Sequence, residues 1–140
     1  MKTYNVNDEN FLNSELYKNF INTHPSKGNL RIRAYAANGA VPISGLKVVV
    51  STNIENNKVI FFEGVTDDSG LIDRISLPAY KLDLNNLDIP DKTVYEINAT
   101  YSPNNLKLLF SVNIYENVCV VQNINIVPDT KIIEGDLIGS

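Results

Sequence analysis

The chain has 140 residues, 44% of them hydrophobic, and its 12 basic and 16 acidic side chains give a formal charge of -4. A length of this order fits one domain of about 100 residues with short extensions, large enough to fold without staples, and a single cysteine excludes an intrachain disulfide. Mild acidity with scattered Lys and Arg gives no basic face for nucleic acid, and no apolar run approaches the ~20 residues of a membrane-spanning helix.

In chain order, residues 8 to 23 place Phe11, Leu12, Leu16, Tyr17, Phe20 and Ile21 on one side of a helical period, with Asp8 as N-cap. This predicts one amphipathic helix that stops before Pro25, with His24 as a capping or surface residue. After Gly28 the period changes to two. Leu30, Ile32 and Ala34 alternate with Arg31, Arg33 and Tyr35 in a first strand, and LKVVVS and KVIFFEGVT give a second and a third across an Asn-rich turn. Asp67, Asp68, Ser69 and Gly70 have the chemistry of a hairpin turn, and LIDRISLP then forms a fourth strand ended by Pro78. Residues 79 to 92 look like a long crossover loop. The fifth strand buries Tyr95, Ile97, Ala99 and Tyr101. The sixth buries Leu106, Leu108, Phe110, Val112 and Ile114. The seventh, after a turn at Glu116 and Asn117, buries Val118, Val120, Ile124 and Ile126.

These elements predict an all-β fold: a seven-stranded antiparallel Greek-key sandwich of transthyretin or immunoglobulin type with one N-terminal amphipathic helix. The expected organisation is a helical extension over 1–27, the sandwich over 28–128 and a tail over 129–140. The runs GNLRIRAYAANGAVPISGLKVVVS, TDDSG followed by ISLPA, VYEINATY and VNIYENVCVVQNINIVP fall in the order of a known pattern. Over about residues 28 to 128 the chain resembles the transthyretin-like (prealbumin-like, carboxypeptidase-regulatory-like) domain. The version it resembles lies near the N-terminus of clostridial spore cortex-lytic and peptidoglycan-binding proteins, and it implies a non-catalytic accessory module in a bacterial spore, phage-like or wall assembly.

The residues themselves offer little chemistry. His24 and Cys119 are the only residues of their kinds, too few for a zinc site or an oriented Cys/His pair, so no cofactor, metal or catalytic set is expected. Asp68, Ser69 and Gly70 spell the nucleophile tripeptide of aspartic proteases, yet Thr66 and Asp67 precede it and a turn explains all three. Apolar residues opposite the core rows, among them Ile60, Phe62, Leu109 and Val121, predict an outer patch that the helix would cover. Phe11, Leu12, Leu16 and Phe20 on the helix, with Ile132, Ile133, Leu137 and Ile138 in the tail, are therefore candidate interaction residues, packing within the chain or between chains. The expected function is a non-enzymatic module that docks or self-assembles through sheet edge, helix and tail, with a protein partner or a second copy. The alternative is a cell-wall glycan or small-ligand binding module with Tyr35, Tyr80, Tyr101 and Tyr115 as stacking platforms. The first residues, MKTYNVNDENF, lack the apolar stretch of an export signal, so a cytoplasmic location is expected, with incorporation into a spore or phage-like assembly as the extension of it.

Overall fold

Two stacked sheets carry the alternating rows. The computed structural model describes residues 1–85 and 91–127. Its elements are β1 (Thr3–Asn5), α1 (Glu9–Leu12), α2 (Glu15–Thr23), β2 (Ser26–Ala36), β3 (Val41–Pro42), β4 (Lys47–Ile54), β5 (Asn57–Val65), β6 (Leu71–Ala79), β7 (Thr93–Tyr101), β8 (Leu106–Ile114) and β9 (Cys119–Asn125). One sheet has the order β1-β5-β4-β7-β8; in the other, β2 pairs with β3, β6 and β9. Between them lie Leu30, Ile32, Val48, Val50, Leu77 and Ile97, all fully buried, with Tyr95, Ile114 and Ile124. The inward rows expected for the fifth to seventh strands contribute to this core, although Val118 itself is exposed.

Several expectations are corrected. Nine strands are described where seven were expected, the additions being the short β1 and β3. The sheets are mixed, because β1 runs parallel to β5 and β9 parallel to β2. The residues Asp67 to Gly70 do form a turn: Asp67 Oδ1 accepts from the backbone N–H of Ser69 at 2.9 Å and of Leu71 at 3.0 Å, and Gly70 has φ 76°. It is not a hairpin turn, since β5 belongs to one sheet and β6 to the other, so the chain turns a corner there. Pro78 does not end its strand; it pairs with Lys27 in a strand that continues to Ala79. The single helix is two, broken at Asn13 and Ser14, with Asp8 capping the first and the Ser14 hydroxyl accepting from Tyr17 N–H at the start of the second.

The helices also lie elsewhere than expected. Val50 faces the core and pairs with Phe62, while two residues on Thr52 pairs with Val59, so Val59 is on the core face as well. Between those pairs the register slips, and Phe61 is the extra residue of a bulge. Phe11 and Phe20 pack with Ile54 and Val59, so the helices plug one end of the sandwich on its inner side and do not cover an outer face. Phe61 joins this plug to the main core, edge-on to Tyr95 at 5.6 Å and tilted against Phe20 at 5.8 Å. Phe62 packs on the main core, whereas Leu109 and Val121 remain exposed on different sheets and make no common patch.

Candidate functional site

The plug meets a fork in the larger sheet. Strands β4 and β7 pair from Lys47 with Thr100 to Ser51 with Glu96 and no further, while β4 continues beside β5 to Ile54 and β7 continues beside β8 back to Thr93. Beyond Ser51 the strands separate. The Thr52 hydroxyl donates to the Val94 carbonyl at 2.7 Å and replaces a ladder bond at the point of divergence. A cleft of about 440 Å³ opens there, lined by Phe20, His24 and Tyr80 together with Thr93, Glu96 and Ser111. Its remaining lining includes Thr52, Asn53 and Lys92.

His24 is placed by the end of α2. It is the C-cap residue, its backbone N–H bonding the Phe20 carbonyl at 2.9 Å, as the helix-capping expectation has it. It is not a surface residue, however, being only 7% exposed. Its ring is stacked on Phe20 at 4.0 Å and lies 4.1 Å from the Tyr80 ring. Nδ1 is 2.9 Å from both the Phe20 carbonyl oxygen and Thr23 Oγ1. The carbonyl can only accept, and the Thr23 hydroxyl donates its own hydrogen to that carbonyl, so Nδ1 carries the proton and Nε2 the free lone pair. Burial pushes the histidine pKa below its ordinary value, the hydrogen bond to Phe20 opposing in part. At neutral pH the ring is therefore an uncharged base.

The wall formed by β7 follows from strand alternation. Thr93 lies in the same inward row as Tyr95 and Ile97 and is 6% exposed, whereas Glu96 lies on the wet face, as the alternation predicts. Among the described residues Thr93 Oγ1 is a buried side-chain oxygen with no hydrogen-bond partner. Glu116 lies outside the cleft's lining, in the turn after β8. Its carboxylate accepts from the Ser26 hydroxyl at the start of β2 and from the Leu82 backbone N–H just after Tyr80, and these bonds, the Ser26 one foremost, hold its pKa below the ordinary value.

Of the residues singled out in the sequence, the structure buries Phe11 and Phe20 within the chain and leaves Leu12 and Leu16 half-buried. Ile132, Ile133, Leu137 and Ile138 lie outside the described residues. Asp68 sits exposed in its turn, 3.4 Å from the Ser44 hydroxyl. Tyr80 packs its ring, tilted, against His24. Thr93, Ser111 and Lys92 were not anticipated, because only the fork brings them to His24. The one available signal was the lone histidine held between a helix end and Pro25. Among the described residues there is no group of three or more His, Cys, Asp or Glu side chains able to hold a metal ion, and no helix is long and apolar enough to cross a membrane.

No family model matches the chain, and no curated protein matches it. Solved structures similar to it include the 5-hydroxyisourate hydrolase of Klebsiella pneumoniae, 14% identical over 72% of this chain and 85% of that one, with a TM-score of 0.49. An (S)-allantoin synthase is 13% identical with a TM-score of 0.49, over 76% of this chain and 42% of that one. The transthyretin of Sparus aurata is 13% identical with a TM-score of 0.43, over 69% of this chain and 90% of that one. These likenesses concern the sandwich and assign no activity. They correct the expected function nonetheless: the similar structures include two enzymes beside a transthyretin, so a non-enzymatic docking or wall-binding role is not established. The likeness to cortex-lytic proteins is not shown by them either.

Proposed function

We propose that the chain performs general-base chemistry on a small polar molecule held in the cleft at the β4–β7 fork, with His24 as the base. The observation that carries this reading is the anchored tautomer: Nδ1–H is held by the Phe20 carbonyl, so the basic Nε2 belongs to a buried ring that lines a polar cleft. In such a step Nε2 takes a proton from a bound hydroxyl or water and passes it to the leaving group, while the Phe20 carbonyl steadies the imidazolium formed between. Lys92 and Glu96, both exposed, flank the cleft's mouth, and the Ser111 hydroxyl offers a further hydrogen-bonding group.

A proton-release assay over a panel of small esters, lactones and amides tests the proposal. Turnover is expected to rise with pH through a pKa below the ordinary histidine value, and to fall roughly 100-fold or more in His24→Gln. Because the chain has one histidine, its ring nitrogens can be read directly by 15N NMR. Protonation at Nε2 in the neutral ring, or equal turnover by wild type and the folded His24→Gln protein, overturns the reading, as does the absence of turnover across the whole panel.

A further inference from the structure

The unpartnered Thr93 hydroxyl says what the cleft takes. A hydroxyl buried without a partner is destabilising, and among the described residues none stands within hydrogen-bond reach of Thr93 Oγ1. Threonine is nearly isosteric with valine, which would pack this inward position without that penalty. The hydroxyl therefore has the character of a group held ready for something absent from the free chain.

The inner end of the cleft is otherwise uncharged. Phe20 and Tyr80 are aromatic, His24 is neutral, and the charged residues of the lining, Lys92 and Glu96, are exposed. The two groups are complementary in kind, since Nε2 of His24 accepts while the Thr93 hydroxyl, which has no partner among the described residues, can donate. A carboxylate would bring only acceptors to Nε2, and an ammonium only donors, which leaves the Thr93 hydrogen without an acceptor.

We propose that Thr93 is a specificity-determining residue which, with His24, selects an uncharged group carrying both a hydrogen-bond donor and an acceptor, of which a carbamoyl group is the simplest. This rests on the cleft being the site described above, and concerns what is bound there, not the proton transfer.

The probes are acetamide, acetate and methylammonium, followed by NMR at the His24 ring and the Thr93 amide, with thermal melts of Thr93→Val and Thr93→Ser alongside. Acetamide is expected to give saturable shifts at both positions at concentrations at least tenfold below those at which acetate or methylammonium act. Thr93→Val is expected to lose the acetamide response while melting about 2–4 °C higher, and Thr93→Ser to keep the response. Equal saturation by all three probes, or an acetamide response undiminished in Thr93→Val, overturns the proposal. So does a lower melting temperature for Thr93→Val, which would mean that the hydroxyl is already satisfied. If His24→Gln turns over substrate normally while Thr93→Val still loses acetamide, the base assignment alone fails; the reverse pattern sinks only the selection by Thr93.

Discussion

Tyr95 is the side chain on which the two sheets agree. Its ring is fully buried in the core, and its hydroxyl crosses from β7 to donate to the Pro78 carbonyl of β6 at 2.6 Å. Burial, reinforced by Tyr17, pushes its pKa well above the ordinary tyrosine value, so it remains a donor throughout the accessible pH range. Tyr95→Phe keeps the ring and strands the Pro78 carbonyl, and should cost about 1–3 kcal/mol. Urea unfolding would show this as a lower midpoint with an unchanged slope; an unchanged midpoint would mean that the carbonyl finds another donor. Thr93, two residues earlier in the same inward row, is expected to respond in the opposite direction to loss of its hydroxyl, because it has no partner to strand. The alternation in VYEINATY places both residues inward from sequence alone. Which of the two hydroxyls finds a partner depends on β6 in the opposite sheet, and no local pattern carries that.

Elements were legible where their cause is local and illegible where it is not. The row Leu106 to Ile114 read directly, because alternation alone carries it, and the Ser102 to Asn105 turn after Tyr101, closed by a left-handed Asn105 with φ 50°, makes the β7–β8 hairpin. The corner at Asp67 to Gly70 has the same kind of turn chemistry, yet joins different sheets: a turn fixes the local path and leaves open which sheet the next strand enters. The helix failed for a related reason. A continuous apolar face from Phe11 to Ile21 conceals the break, whereas Ser14 both donates to the Phe11 carbonyl at 2.6 Å, ending α1, and accepts from Tyr17 N–H, starting α2. Ser14→Ala removes both bonds and should cost about 0.5–2 kcal/mol, seen as a lower denaturation midpoint. Because Phe11 and Phe20 sit on either side of the break in one cluster, it should also loosen the packing around His24, visible as a shift in that ring's NMR signals.

At the scale of the whole molecule, the site exists because a helical plug, a sheet bulge and a strand fork coincide at one end of the sandwich. KVIFFEGVT reads only as a strand and the apolar helix face as the cover of an outer patch, so neither bulge nor plug was legible; the fork depends on where β4 and β7 cease to pair, 45 residues apart for Ser51 and Glu96, and could not be read either. The same assembly makes stability depend on pH in two separable steps. His24 is held neutral by burial, so its folded pKa lies below the unfolded value of 6.5. As pH falls below about 6.5 the unfolded chain binds a proton that the native ring resists, and stability declines until the folded pKa is passed. Glu116 is the second case: hydrogen bonds from Ser26 and Leu82 favour its charged form, so the stability it contributes is present above its unfolded value of 4.5 and is lost as pH falls through the lower folded one. Glu116 is only half-buried, which should make this second step the smaller and more salt-sensitive. Urea midpoints measured from pH 8 to pH 3 should therefore show a decline beginning near 6.5 that is absent in His24→Gln and a further one below 4.5 that is absent in Glu116→Gln. If wild type and His24→Gln decline in parallel between pH 7 and pH 5, the histidine is not the buried neutral base on which the cleft's chemistry depends.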